Sequence, residues 1–306
     1  MSNLATCLLE PSIMKGERVC AVVLDYYGAE KTEKCLMSLS GQGLQTAYVL
    51  DNSGSDGASL KLREVLARLE SGGMDYRIEL LSAGKNLGFG RGVNFVLDHD
   101  RRSGSPHEYY LLLNNDAAAG PGLVSGLIAA LKQNPRVALV APKIVSNDPG
   151  REHGIWYHRY LGLLLSQPGK LRFHYLTGCC LLFSKDIVGN TGFFDEAFFM
   201  YGEDTDLGWR LARRGREAIC ATNVFVQHDL GPSAHRASFF YEYHMVRGHL
   251  LLSLRTSVHP AEIPLLIITK YSALACRAVI RCLRYRTLTP LAGLFLAWIP
   301  MRVNRP

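Results

Sequence analysis

The stretch Arg18–Asp25, RVCAVVLD, decides how the chain is read: it is short, apolar, rich in β-branched residues and closed by a carboxylate. Such a run fits a strand buried on both faces, as parallel sheets require. The next segments repeat the theme. EKTEKCLMSL carries Cys35, Leu36 and Leu39 on one helical face, TAYVLD is a second apolar run, and SLKLREVLARLE aligns Leu62, Val65, Leu66 and Leu69. YRIELL, GVNFVLDHD, YYLLLNND, GLVSGLIAALKQ and VALVAP continue the alternation of strand and helix. Strands separated by single amphipathic helices predict an α/β fold, a mostly parallel sheet with helices on both faces. Ligands of such sheets bind beyond the carboxyl ends of the strands. Polar residues end several of the expected strands there: Asp25, then Asp51 and Asn52, then Asn114, Asn115 and Asp116.

The bulk numbers agree with a folded enzyme-sized chain. At 306 residues, 48% hydrophobic and 20% charged, it can bury one large core or two smaller ones and is not a disordered segment. Its eight cysteines form no CxxC pair and sit mostly in apolar runs, which predicts buried free thiols in a reducing compartment. The N-terminus lacks a basic start followed by a sufficient apolar run, so no signal peptide is read and a cytoplasmic setting is expected. Nearly all of the net charge of +7 lies between Pro260 and Pro306, where seven Lys and Arg accompany Glu262 alone. No aromatic platforms interleave with these cations, so nucleic acid is not an expected partner.

Beyond about residue 143 the alternation gives way to a loop, SNDPGREHG, then a strand, LTGCCLLFS. Next, FFDEAFFMYGEDTDLGWR (Phe193–Arg210) crowds together Asp195, Glu196, Glu203, Asp204 and Asp206. Like charges held close repel, more so when partly buried, so the cluster needs a reason. Asp206 and Arg210 are spaced for a helix-surface ion pair. Glu203 and Asp204 open the same helix, where the macrodipole favours one negative charge. General-base chemistry accounts for the second, since a carboxylate in an aromatic-walled cleft can take a proton from an attacking hydroxyl. The helix stops at Gly215, EAICAT and VFVQH read as two short strands, and everything from Phe239 reads helical with interruptions at Pro260, Pro264 and Pro290.

Three other stretches each allow a structural and a functional reading. LLLNND is a turn after a strand, or a carboxylate holding a divalent cation against a diphosphate. GKNLGFGRGVN (Gly84–Asn94) matches neither nucleotide-loop template, having Asn86 where a P-loop needs Ser or Thr. It is a glycine-rich turn before a helix, or a helix N-terminus meeting an anionic group. His228, at the end of VFVQH, is a structural imidazole or a metal ligand alongside Asp116.

Taken in order, these stretches resemble the family 2 glycosyltransferases, inverting enzymes with the GT-A fold, and among them the bacterial rhamnosyltransferase-like group. The resemblance spans roughly residues 18 to 250. VVLDYY is similar to the family's first strand, with Asp25 near the donor, and VLDNSGSDG resembles the motif whose Asp, here Asp51, contacts the nucleobase. NLGFGRGVN resembles the segment beside the nucleotide, which implies Asn86, Gly88 and Asn94 as donor-binding residues. LLLNND falls where the family's metal-binding Asp lies, implying Asp116 as ligand with Asn115 beside the donor. The long stretch TGCCLLFSKDIVGNTGFFDEAFFMYGEDTDLGWRLARRG makes Asp204 the implied base, with Glu203 orienting acceptor or helix. HDLGPS resembles the downstream His segment and implies His228 as the second metal ligand. Two departures stand out: Tyr27 where the family commonly has Asn, and Asn115 where Pro is common.

The resemblance implies a Mg²⁺- or Mn²⁺-dependent transfer from a dTDP- or UDP-sugar, rhamnose among the candidates, to a saccharide or lipid-linked acceptor in cell-surface polysaccharide synthesis. A sugar-1-phosphate nucleotidyltransferase would need a Gly-rich, Arg-bearing loop after the first strand, and DYYGAEKT has none. A degenerate nucleotide-sugar-binding protein is opposed by the retention of Asp116, Asp204 and His228. The expected division is an N-terminal extension (1–17), a GT-A domain (18–256) and a basic amphipathic helical tail (257–306). In that tail Lys270, Arg277, Arg281 and Arg284 would stack as one basic stripe, flanked by apolar Ile263–Ile268 and Leu291–Ile299. Neither flank approaches the ~20 residues of a spanning helix, so the expectation is peripheral binding to an anionic membrane surface.

Overall fold

The computed structural model describes residues 17–146, 155–189, 192–228 and 238–301. In chain order the strands are β1 (Val19–Asp25), β2 (Thr46–Asp51), β3 (Arg77–Ser82), β4 (Tyr109–Leu113), β5 (Ala117–Ala119), β6 (Val137–Val145), β7 (Ile155–His158), β8 (Leu164–Leu165), β9 (Arg172–Tyr175), β10 (Cys180–Ser184) and β11 (Glu217–His228). The helices are α1 (Ala29–Ser38), α2 (Asp56–Ser71), α3 (Phe89–Arg102), α4 (Leu123–Lys132), α5 (Glu203–Arg213), α6 (Phe239–Arg255), α7 (Ile263–Tyr285) and α8 (Thr289–Leu296).

One sheet dominates, in the order β3-β2-β1-β4-β10-β6-β11-β5. Its β3-β2-β1-β4 half is parallel, as the alternating pattern predicts. β1 shows why its sequence is apolar throughout. Val19, Ala21 and Val23 enter one core with Leu36, Leu62 and Leu127, while Cys20 and Val22 enter the other with Val93, Leu97 and Phe193. Both faces of the strand are therefore withdrawn from water.

β10 runs antiparallel between β4 and β6, so it begins where β4 ends, with Cys180 opposite Leu113. That reversal delivers residues 177–179 to the carboxyl edge of the parallel strands. EAICAT and VFVQH are not two strands but one, β11, whose register against β6 slips between Ala221 and Phe225. The irregularity interrupts the hydrophobic alternation, which is why the sequence reads as a break. β5 is a short alanine strand antiparallel to the end of β11. A small second sheet, β8-β7-β9, packs Tyr157, Phe173 and Tyr175 against Phe198 and Leu252.

The expected domain division differs from the packing at its C-terminal boundary. Tyr243, Val246 and Leu250 of α6 share a core with Leu274 of α7 and Leu294 of α8, so a cut at residue 256 divides one helical unit. Pro264 and Pro290 do not interrupt helices; each sits in a first turn, where the missing N–H has no partner to lose. The basic stripe also needs correction, because three of its four cations face inward and only Arg284 is exposed. Lys270 is fully buried, and Arg277 and Arg281 both pair with the buried carboxylate of Glu242, at 2.9 and 2.6 Å. The apolar flank Ile263–Ile268 opens a longer helix, Pro260–Tyr285, long and apolar enough to cross a membrane by length and composition, while Leu291–Ile299 falls separately in and after α8. The described cysteines are all free, but Cys276 is exposed, so not every thiol is buried.

Candidate active site

A cleft of about 590 Å³ opens at the carboxyl edge of the parallel strands, lined among others by Asn86, Asn115, Asp116, Glu203 and His228. Strand register builds one side of it. β5 pairs with the end of β11 so that His228 lies opposite Ala117, one residue from Asp116. His228 Nε2 is 3.0 Å from Asp116 Oδ1. Burial alone would depress the imidazole, but the hydrogen bond with Asp116 and the neighbouring Cys179 outweigh it and raise His228 to about 10. Burial likewise opposes ionisation of Asp116, and His228 and Lys31 overcome it, leaving its pKa below the usual value.

A divalent cation fits this pair. Two donors bonded at about 2.1 Å in adjacent octahedral positions stand about 3.0 Å apart, and hard cations commonly take one or two protein ligands plus phosphate oxygens. No cluster of three or more His, Cys, Asp or Glu ligands occurs among the described residues, so such an ion would draw its other ligands from substrate and water. The remainder of HDLGPS after His228 lies outside the described residues.

The opposite wall is the acidic stretch. Gly202, at φ 106°, turns the chain into α5, and Tyr201 before it is also left-handed at φ 67°. Tyr201 and Tyr241 meet edge to face at 5.4 Å, and both line the cleft. Glu203 opens α5, buried, and its Oε2 has no hydrogen-bond partner. Burial, then the charge of Asp204, pushes Glu203 far above the carboxylate range. Asp204 is half-buried; its Oδ1 accepts from the backbone N–H of Thr205 at 2.7 Å and from the Thr205 hydroxyl at 3.2 Å. Burial raises it too, less than Glu203, because these bonds and one from the backbone of Gly178 favour the ionised form. The two neighbours thus hold protons unequally, the arrangement that separates a base from its neutral companion.

Asp206 does pair with Arg210, at 2.7 Å, but not on the surface: the carboxylate is buried and Arg210 also donates to the carbonyl of Phe193. The pair fastens α5 to the loop before it. Asp195 accepts from the N–H of Ala197 and pairs with Arg255, closing the turn as its sequence position suggests.

Other expected donor-binding residues have different jobs. Asn94 is buried; its Oδ1 accepts from the N–H groups of Phe193 and Phe194, and its Nδ2 donates to the carbonyl of Phe194. Its amide is spent holding the acidic loop to α3 and leaves little for a nucleotide. Gly88, at φ 79°, is required by packing, since a Cβ there would overlap the carbonyl oxygen of Phe199. Asp51 is buried and accepts from the N–H and hydroxyl of Ser53 and the hydroxyl of Ser59, shaping the turn into α2. Asp25 accepts from Thr32 at 2.6 Å and from Asn115 at 3.3 Å, tying the ends of β1 and β4 together, and burial raises its pKa. Asn86 and Asn115 remain on the cleft surface.

Sequence reasoning noted Asn52 at a strand end without giving it a role, and missed Lys31. Asn52 clamps the loop before α3, accepting from Leu87 N–H and donating to the Gly88 carbonyl. Lys31 lies exposed at the cleft, where it bears electrostatically on Asp116. In sequence it looks like any surface lysine of a charged helix; its position one turn beyond the end of β1 is the available signal.

Comparison with known proteins agrees with this geometry. Residues 22–192 match the model of glycosyl transferase family 2, and the chain belongs to that family. An N-acetylglucosaminyl-diphospho-decaprenol L-rhamnosyltransferase of Mycobacterium tuberculosis is 28% identical over 246 residues, covering 70% of this chain and 77% of the relative. Among solved structures, a mannosyltransferase of Pyrobaculum calidifontis in complex with GDP-mannose and Mn²⁺ superposes with a TM-score of 0.57 at 18% identity, covering 94% of this chain and 88% of that one. Glucosyl-3-phosphoglycerate synthase of Mycobacterium tuberculosis, in complex with Mn²⁺, UDP and glucosyl-3-phosphoglycerate, gives 0.51 at 15% identity over 80% and 82%. The fold is GT-A, and the protein is a nucleotide-sugar glycosyltransferase homologous to a rhamnosyltransferase.

Proposed function

We propose that the cleft performs an inverting, single-displacement transfer in which Asp204 is the general base and a Mg²⁺ or Mn²⁺ is held by Asp116 and His228. The observation that carries this reading is one cleft lined by the cation-competent pair Asp116 and His228 and by Glu203, whose helix neighbour Asp204 differs from it in proton affinity. Asp204 takes the proton of an acceptor hydroxyl as that oxygen forms its bond to the anomeric carbon. The bond from that carbon to the diphosphate breaks on the opposite face and the nucleoside diphosphate departs. The bound cation supplies neutralisation of charge on the leaving diphosphate. Glu203, the more buried of the two, keeps its proton near neutral pH, so that Asp204 alone bears the negative charge. Tyr201 and Tyr241 give the acceptor sugar an aromatic wall.

The donor we favour is a dTDP- or UDP-sugar, with dTDP-rhamnose first, and the acceptor a saccharide carried on a lipid diphosphate. Rhamnose and the acceptor follow from similarity to the mycobacterial rhamnosyltransferase, whose name specifies both. The test is turnover of a panel of nucleotide sugars with a polyprenyl-diphosphate-linked sugar, the product's anomeric configuration read by NMR. Transfer with inversion supports the proposal; retention, or donor hydrolysis without transfer to any acceptor, contradicts it.

A further inference from the structure

We propose that the outer face of α7, together with the leucines of the β7–β8 turn, is seated in the surface of a lipid bilayer and held there by apolar burial, not by the chain's positive charge. The inference rests on the reading that the acceptor is lipid-linked, and it replaces the electrostatic attachment that the sequence suggests.

The helix is amphipathic in the wrong sense for water. Leu265, Ile268, Ser272, Cys276, Val279 and Leu283 are exposed, spaced three or four apart along one face, and none is charged. Its charges before the last turn point the other way. Lys270 is buried over the ring of Tyr157, and Arg277 and Arg281 hold buried Glu242. A helix facing water normally puts its charges outward and its aliphatic side chains inward. Ile268 is 63% exposed and Leu283 76%, which makes the outer strip an apolar patch beyond what isolated surface leucines explain.

A second, separate segment contributes to the same surface. The hydroxyl of Thr269 donates to the carbonyl of Tyr160 at 2.8 Å, pinning the β7–β8 turn to α7, and that turn exposes Leu161, Leu163 and Leu164. After α7, exposed Leu288, Phe295 and Trp298 lie on or beside α8, and Trp298 meets Tyr271 of α7 at 5.6 Å.

The occupant is a bilayer because of what borders the patch. At about 1.5 Å per residue α7 offers an apolar strip about 34 Å long, and it contains no acidic side chain. Exposed Arg284 and Arg286 close its C-terminal end, with Arg284 over the ring of Tyr285 at 5.6 Å. Cations and amphipathic aromatics at the margin of an apolar face suit phosphate headgroups, whereas a second copy meeting this face would bring no carboxylate from its own α7 to those arginines. The helix lies in the surface plane. To cross the membrane it would have to leave α6, stripping buried Glu242 of both arginines, a costly separation.

This seating also connects lipid and cleft. Tyr241, on the cleft wall, lies with its ring 5.3 Å from the guanidinium of Arg281, whose neighbour Ile280 faces outward. An acceptor could therefore present its sugar to the cleft while its lipid stays in the bilayer.

The test is flotation of the full-length protein with neutral phosphatidylcholine vesicles at low and high salt, beside the double variant Ile280→Asp, Leu283→Asp. We expect wild type to float with neutral lipid at both salt concentrations and the variant to lose about tenfold or more in partitioning, as the loss of two buried aliphatic side chains requires. Circular dichroism, thermal melting and transfer to a short soluble acceptor should be unchanged in the variant, because both positions are exposed and neither lines the cleft. Binding only to anionic vesicles, with release by salt, would overturn the proposal in favour of the cations. So would a concentration-dependent dimer that the double variant abolishes, or failure of wild type to float at all. Flotation is independent of sugar chemistry, so absence of glycosyl transfer in a protein that floats would reject the acceptor reading and leave the surface intact.

Discussion

His228 and Asp116 are 112 positions apart in the chain and 3.0 Å apart in the fold, joined because β5 pairs with the last residues of β11. Without a cation they satisfy each other, the imidazole carrying a proton that a metal would have to displace. Nucleoside diphosphate binding should therefore release protons when Mn²⁺ is present, and EDTA should weaken it. Asp116→Ala and His228→Ala should each remove most of the metal-dependent gain. Calorimetry in buffers of different ionisation enthalpy measures both effects; equal affinity with and without EDTA would reject the metal role.

Glu203 makes a stability prediction. Its folded pKa is raised by burial and by Asp204, so the folded state holds this proton more tightly than the unfolded chain, whose Glu titrates near ~4.3. That favours folding below the unfolded value, and the margin is lost as pH rises from there through the folded value. Glu203→Gln, which cannot ionise, should melt higher than wild type at pH 8 and show a smaller difference at pH 5. A difference independent of pH would mean that Glu203 ionises normally.

Much of the fold was legible because its parallel half is built from strands buried on both faces and helices with one apolar stripe. The small sheet was not: β7 and β9 are four residues each and β8 two, too short to show an alternating pattern. In the site, the acidic run and the residues ending β4 and β11 were readable as chemistry. Asn94 reads two ways because an Asn beside a glycine-rich turn looks the same whether it meets a nucleotide or a backbone 100 residues away. The inward basic stripe was missed for a related reason. Helical spacing places Lys270, Arg277 and Arg281 on one face, but only the tertiary partner Glu242 says which way that face turns.

Asn94 offers a direct separation of these two readings. Asn94→Ala would leave the buried N–H groups of Phe193 and Phe194 unpaired, at a cost of about 1–3 kcal/mol each. It should lower the melting temperature and turnover while leaving nucleoside diphosphate affinity within about twofold, a change smaller than the loss of one typical hydrogen bond. A selective loss of donor affinity at unchanged stability would restore Asn94 to the nucleotide site.

Lys270 is buried with no hydrogen-bond partner for its Nζ, and burial depresses its pKa to about 7. The unfolded chain, with Lys near ~10.4, binds the proton more readily, so this site destabilises the fold fully below pH 7 and progressively less as pH rises toward 10. Lys270→Met, of similar length and uncharged, should raise the melting temperature at pH 6.5, by an amount that shrinks at pH 9 to 10, as melting curves across that range would show. A lower melting temperature for the variant at all pH values would point to an anionic partner for the amine.

The central claim is that Asp204 takes the acceptor's proton while other residues hold the donor. Its most direct test measures turnover and donor affinity side by side in wild type and Asp204→Asn. Loss of a general base typically lowers turnover by ~10²–10⁴-fold, and that loss with donor affinity nearly unchanged is the predicted result. A variant that keeps more than about a tenth of wild-type turnover, or that loses donor binding in proportion to turnover, would contradict the account.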